Sequence, residues 1–252
     1  MLDVPSYLAR IAYTGPTEPS AENLRTLHHA HLLSVPFENL DIPLGRKIVV
    51  NEDAIIHKVV ALRRGGFCYE LNSAFAALLR ALGFQVTLLS ARVARNNGCE
   101  GPDFDHLTLR VDLDEPWLAD VGFGESFLEP LRLKPDIEQK DPSGTFRLIE
   151  IFDRIHMQKA EPDGSWRPQY SFSLEPRRLD EFAAMCHFHQ TSSDSSFTRK
   201  RICSRATPTG RITLSDLKLI VSENGKREER VLASEEQWAS ALQQYFGMDM
   251  ER

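Results

Sequence analysis

The chain has 252 residues, 42% hydrophobic and 26% charged, which is enough to bury a substantial core and lies outside the disordered range. Thirty basic against 36 acidic residues give a net charge of −6 without a concentrated basic block, so no nucleic-acid partner is expected. No segment approaches the about 20 apolar residues that span a bilayer, and the N-terminus lacks a signal-peptide core, so neither a membrane partner nor export is expected.

Ser20 can cap a first helix whose Leu24, Leu27, Ala30 and Leu33 share one face, with Val35-Pro36 ending it. Asn51 can cap a second, with Glu52 and Asp53 in its first turn and Gly65-Gly66 as the stop. A third runs from Phe67 to Leu82, with Phe67, Leu71, Ala74, Phe75, Leu78 and Leu82 on one stripe and Gly83 just past its end. From Phe84 the period changes to two. "FQVTLLSARVA" and "FDHLTLRVDL" alternate, the second with Leu107, Leu109, Val111 and Leu113 on one side and His106, Thr108 and Arg110 on the other. "NNGCEGPD" between them is turn chemistry, and "WLADV", "TFRLIEIF", "RIHMQKA" and "QYSFSL" are further short strands. In the last quarter, residues 178–189 read as helical and Asn224-Gly225 turns a hairpin. Ser234 with Gln237 forms a capping box before "WASALQQYF". Helices followed by strands indicate an α+β protein in three regions, an N-terminal helical bundle over 1–83, a β-barrel or sandwich over 84–176 and a mixed region over 177–252. No uninterrupted heptad or conspicuous apolar strip sets an oligomeric state.

The four cysteines, Cys68, Cys99, Cys186 and Cys203, are widely spaced and form no CxxC pair. They read as thiols of a reducing, cytoplasmic compartment, not a zinc site or disulfide framework. The "CHFH" run, Cys186, His187 and His189, does not aim three ligands at one ion, so no metal is expected. Cys68 stands apart because it opens the third helix, where unpaired N–H groups and the positive dipole end favour a thiolate. A cysteine at that place is often only a small core residue. A nucleophilic thiol needs a base and an orienting acid. His28, His29 and His31 lie on a helix without a nearby acid pattern, whereas His106 projects from the non-leucine face of its strand. Asp120 ends the strand "WLAD" before "VGFG", where glycines let backbone approach a ligand. Each is ambiguous singly. In the order Cys68, His106, Asp120 they describe an activated thiol of the papain or transglutaminase type.

The segments "SVPFENLDIPLG", "RRGGFCYELNSAFAALLRALGF", "DHLTLRV" and "WLADVGFGESFLEPL" resemble the arylamine N-acetyltransferase family, and the similarity resumes at "FTRKRICSRATPTGRITL". The resemblance implies an N-terminal helical bundle, a central β-barrel and a C-terminal α/β lid with the thiol in a cleft between them, and a triad of Cys68, His106 and Asp120. It implies acetyl-CoA as co-substrate with no permanently bound cofactor, and an arylamine or arylhydrazine as acceptor. It assigns Glu38, Arg64 and Asn72 to a polar network beside Cys68, in which a bidentate Arg64–Glu38 pair would fix the loop entering the helix. It places Phe37, Val93, Phe123, Gly124 and Phe197 around the substrate. Two departures stand out. "TSSDSSF" carries Ser193 and Ser196 where bacterial relatives carry prolines, implying a less rigid lid loop. Asp105 precedes His106 where a neutral residue is expected, and could raise the histidine's pKa or disturb a coenzyme contact. The alternatives are a cysteine hydrolase or amidase of the same fold and an acyltransferase with a longer acyl-CoA donor.

Overall fold

The computed structural model describes residues 2–95 and 98–250. Asn96 and Asn97 of the expected turn lie outside the described residues. Helix α1 (Val4–Arg10) opens the chain, capped by Asp3, with Pro5 in its first turn. It was not legible from apolar periodicity because it has only seven residues. Helix α2 (Ala21–Ser34) is capped by Ser20 and ends at Val35 as expected, but its buried stripe is Leu24, Leu27, His28, His31 and Leu32. Helix α3 (Glu52–Ile56), capped by Asn51, runs into a π-helical turn, His57–Ala61. That turn ends at Leu62, ahead of the glycines expected to stop it, with Arg63 left-handed at φ 51°.

Gly65 and Gly66 serve another purpose. They run beside strand β1 (Phe37–Glu38), where Glu38 N–H donates to the Gly66 carbonyl at 2.8 Å. A Cβ on Gly65 would fall 1.9 Å from the Pro36 carbonyl oxygen, so only glycine permits the approach. Buried Arg10 braces the same loop by donating to the carbonyls of Ser34, Val59, Arg63 and Arg64.

Helix α4 (Cys68–Ala81) starts where the motif places it, and Gly83 follows with φ 93°. Instead of an amphipathic stripe, every residue from Cys68 to Leu79 is buried. It is a central helix, covered by other elements on all sides.

An antiparallel sheet of eight strands follows: β2 (Gln85–Val93), β3 (His106–Asp112), β4 (Pro116–Ala119), β5 (Leu131–Arg132), β6 (Glu138–Asp141), β7 (Gly144–Ile151), β8 (Arg154–Ala160) and β9 (Trp166–Phe172). Its order is β5-β4-β3-β2-β9-β8-β7-β6. At the seam between edge strands β5 and β6 the Gln139 side chain both accepts from Arg132 N–H (2.8 Å) and donates to its carbonyl (3.0 Å), standing in for a backbone ladder. β3 is buried on both sides. Leu107, Leu109 and Val111 join the core that contains α4, while the barrel interior is filled by Leu89, Phe127, Phe146, Leu148, Met157, Tyr170 and Phe172.

A 3₁₀ turn (Leu179–Phe182), α5 (Ala183–Thr191) and α6 (Ser196–Arg199) lead into β10 (Ile202–Thr207), β11 (Gly210–Ser215), β12 (Lys218–Glu223) and β13 (Lys226–Val231). These strands form a second antiparallel sheet with β1, in the order β1-β10-β11-β12-β13. The β12–β13 hairpin turns at Asn224 and Gly225, both left-handed. Helix α7 (Glu235–Phe246) packs Trp238, Leu242 and Phe246 on one face of this sheet. Ser234 caps it, while the Gln237 side chain reaches past Ser234 to the Ala233 N–H at 2.9 Å. The protein is α+β. Among the described residues no helix is long and apolar enough to cross a membrane.

Candidate active site

Cys68 is the first residue of α4 and is 4% exposed. The Phe67 N–H before it is taken by the Glu70 carboxylate at 3.2 Å, a cap that fixes where the helix begins. Glu70 also accepts from Lys58 at 2.8 Å, and Lys58 reaches Asp41 at 2.7 Å. Arg64 donates to Asp41 at 3.1 Å and, through Nε (3.1 Å) and Nη2 (2.8 Å), to Glu38 Oε1. Two guanidinium nitrogens therefore converge on one oxygen instead of forming a two-on-two fork, because Glu38 Oε2 accepts from the Leu40 N–H. Burial pushes Glu70 up to about 7 against the opposing pull of Lys58. Lys58 and Asp41 also belong to this network; Asp41 lies in the segment "SVPFENLDIPLG" but is assigned no role there, and Lys58 lies in none of the quoted segments. Arg63 is exposed.

Asn72 is not part of that network. One turn beyond Cys68, its amide donates to the Leu107 carbonyl (2.6 Å) and to Asp120 Oδ1 (2.8 Å), and its oxygen accepts from Val121 N–H (2.9 Å). Asp120 Oδ1 also accepts from Gly122 N–H at 2.9 Å, and Oδ2 holds His106 Nε2 at 2.6 Å. Both Asp120 and His106 are buried, at 1% and 3% exposure. Burial would raise the Asp120 carboxyl, but His106, Asn72 and the Gly122 amide hold it below the usual range. A Cβ on Gly122 would lie 2.8 Å from Cys68 Cα, so the segment after Asp120 packs directly on the thiol-bearing residue. The three sequence-derived residues thus converge through Asn72, Leu107 and Gly122.

Burial pushes the Cys68 thiol well above its usual range; a hydrogen bond from the Leu107 backbone opposes this, and nearby Asp120 adds to it. Burial therefore opposes the thiolate that the helix terminus favours, and deprotonation calls for a nearby acceptor for the proton.

His28 was set aside on sequence grounds and proves to be part of the support. Its Nε2 accepts from the Asp120 N–H at 3.1 Å while Nδ1–H donates to the Leu128 carbonyl at 2.9 Å, which fixes a neutral tautomer. Its ring stacks on Phe127 at 5.7 Å. Burial draws His28 down to about 4. Between that value and the unfolded value near 6.5, the unfolded chain binds a proton that the folded one refuses. Stability present above about pH 6.5 is therefore expected to fall by about 3 kcal/mol as the pH drops to about 4. Urea unfolding across pH 4–8 checks this. His28→Gln should lessen the dependence, with buried His31, also held below its usual range, keeping part of it, and an equal slope in both proteins would refute the assignment. Tyr170, also missed, stands 5.2 Å from the His106 ring and meets Thr108 Oγ1 at 3.4 Å.

The expected substrate-binding residues fall into two groups. Phe123 stands 5.1 Å from His106 and 4.9 Å from Tyr170, which Val93 faces across the β2–β9 pair. Phe37 stands 6.1 Å from Phe197, and Phe197 5.7 Å from Phe67. Gly124, left-handed at φ 88°, follows Phe123.

In the loop that carries Ser193 and Ser196, hydroxyls of neighbouring residues bond the backbone. Ser195 Oγ accepts from Phe197 N–H, and Thr198 Oγ1 donates to the Ser192 (2.8 Å) and Ser195 (3.0 Å) carbonyls. Asp105 turns toward His189, 3.2 Å away, rather than toward His106. The "CHFH" side chains diverge: Cys186 is buried against Gln190, His187 is exposed and His189 faces Asp105.

A family model described as N-acetyltransferase matches residues 20–252. The arylamine N-acetyltransferase of Escherichia coli (strain K12) is 34% identical over 250 residues, covering 97% of this chain and 88% of the relative. The solved arylamine N-acetyltransferase from Salmonella typhimurium matches with a TM-score of 0.93 at 33% identity, covering 100% of this chain and 94% of that one. The Mycobacterium marinum arylamine N-acetyltransferase in complex with CoA matches with a TM-score of 0.90 at 30% identity over 98% and 93%. Fold and family model define an N-acetyltransferase. More narrowly, the chain belongs to the arylamine N-acetyltransferase family.

Proposed function

We propose that the protein moves an acetyl group from acetyl-CoA to an arylamine or arylhydrazine by double displacement through an acetyl-cysteine on Cys68. The observation that carries this is the buried His106–Asp120 pair, with Nε2 held by the carboxylate at 2.6 Å; we assign the other ring nitrogen, Nδ1, to the thiol.

In the first half, the Cys68 proton moves to His106 Nδ1 and the resulting thiolate attacks the thioester carbonyl carbon. The C–S bond to CoA breaks, and CoA leaves with a proton from the imidazolium. One thioester is exchanged for another at little cost. Because burial opposes a free Cys68 anion, the reactive state is a thiolate–imidazolium pair, with Asp120 stabilising the cation. Phe67 N–H is committed to Glu70, so the next first-turn amides, Cys68 and Tyr69, are the candidate oxyanion donors. In the second half the amine attacks the acetyl carbon, His106 accepts its proton, and Cys68 leaves and is reprotonated.

In this reading residues 1–83 supply the nucleophile, 84–176 the base and acid, and 177–252 the lid. Phe37, Phe123, Val93 and Phe197 offer the apolar slot an aromatic acceptor needs. The cytoplasm is the setting we assign, a reducing compartment suited to a thiol nucleophile.

CoA release from acetyl-CoA, followed with a thiol reagent after rapid filtration from the enzyme, tests transfer against hydrolysis. Sustained release that requires an arylamine is expected; sustained release without amine would favour the hydrolase.

A further inference from the structure

We propose that Arg10, Arg63 and Arg205 form a phosphate-binding cleft where the end of α7 meets the loop that enters α4. None of the residues lining it belongs to the acceptor slot, and the inference does not depend on the acyl chemistry above.

The three arginines come from separate elements: Arg10 ends α1, Arg63 follows the π-helical turn and Arg205 lies on β10. They line one cleft of about 410 Å³ with Ser34, Gln243 and Gln244, and among the described residues no carboxylate lines it. Burial draws the Arg10 guanidinium down to about 10, and the charges of Arg63 and Arg205 add to that.

Helix ends explain part of this gathering. α1, α2 and α7 all finish at the cleft, and Arg10 donates to the Ser34 carbonyl and Arg205 to the Tyr245 carbonyl, each at 2.8 Å. A helix end carries at most about half a negative charge, so three of them leave a positive surplus of at least about 1.5.

Spare donors mark the same surplus. Arg205 Nε is buried without an acceptor, and burial holds this guanidinium below its usual range with no carboxylate to oppose it. Arg63 is left-handed at φ 51°, its carbonyl taken by Arg10, while its own guanidinium makes no hydrogen bond or ion pair among the described residues. Unpaired donors on a partly desolvated cation cluster are costly to hold empty. A phosphate monoester brings about −1.5 to −2 charge and three acceptor oxygens, which matches the surplus and suits guanidinium forks; a monocarboxylate brings one charge.

The cleft bears on the catalytic helix through Arg10, whose Nη2 holds the Arg63 and Arg64 carbonyls just ahead of Cys68. An anion bridging Arg63 to Arg205 fastens that loop to β10 and α7.

The test titrates inorganic phosphate and pyrophosphate into the protein by calorimetry, with chloride matched for ionic strength, for wild type, Arg63→Gln and Arg205→Gln. Wild type should bind pyrophosphate one to one. Each variant should weaken that binding by about ten- to a hundredfold, the worth of one charged hydrogen-bonded contact, and Arg205→Lys should restore part of it. The Arg63 side chain is exposed and has no bond to lose, so its urea midpoint should stay unchanged and misfolding cannot account for its result. Bound pyrophosphate should slow amide exchange across residues 62–66 and should stay bound in the presence of saturating CoA. No binding above the chloride control, equal affinity in wild type and both variants, or protection confined to other segments would overturn the proposal. So would displacement by CoA, which would make the anion's position the coenzyme's own.

Discussion

Replacing Cys68 with alanine is expected to lower acetyl transfer by at least about four orders of magnitude, the loss seen when a covalent nucleophile is removed. The change deletes one sulfur from a buried position at the head of α4, where the cap is supplied by Glu70 and Phe67 and not by the thiol. Stability should therefore fall by only about 1 kcal/mol, the order of a small cavity. The pairing of a large kinetic loss with a small stability loss is the informative result, read from initial rates and urea midpoints on the same samples. Activity retained in the variant would remove Cys68 from the mechanism. A collapse of stability would make the kinetic loss uninformative, and Cys68→Ser, nearer in size, would then replace it.

Asp120→Asn is expected to cost about three to four orders of magnitude in kcat. The Asp120 carboxylate meets donors among the described residues: His106 Nε2, the Asn72 amide, the Gly122 N–H and the Tyr170 hydroxyl. An asparagine must turn its NH₂ group toward one of these. Facing His106, it forces the proton off Nε2 onto Nδ1, the wrong tautomer for accepting the Cys68 proton. Facing Asn72 and Gly122, it leaves buried donors unsatisfied, at about 1–3 kcal/mol each. Lost stability together with lost activity is therefore expected, in contrast to Cys68→Ala. Asp120→Glu keeps the charge and should fail through geometry. A rate for Asp120→Asn within tenfold of wild type would show that His106 does not depend on this carboxylate.

Much of this was legible locally, where one side chain settles one backbone group. Ser20, Asn51 and Ser234 cap the helices they were expected to cap, and Asn224-Gly225 turns its hairpin. The β8 segment was likewise bounded by its own pattern. Elements too short or too polar for a period were not legible: β1 has two residues, and β6 reads "EQKD". The β10–β11 hairpin shows no clean apolar alternation because one of its faces is polar or small, Ser204, Thr213 and Arg211.

The site divides in the same way. Cys68, His106, Asp120 and Asn72 lie in compact motifs. His28 reaches Asp120 across 92 positions, and Tyr170 reaches Thr108 across 62. No spacing rule links residues so far apart, and a histidine on an apolar helix face gives no sign of what its ring nitrogens meet. For Cys68 the sequence shows the helix terminus, which favours the thiolate, and hides the burial, which opposes it.

The most direct test of the acyl-cysteine is the intact mass of the protein after mixing with acetyl-CoA in the absence of amine. The account predicts a gain of one acetyl group in wild type, none in Cys68→Ala, and its discharge on adding an arylamine. No adduct on Cys68, under conditions in which the same sample turns over acetyl-CoA and amine, would contradict it.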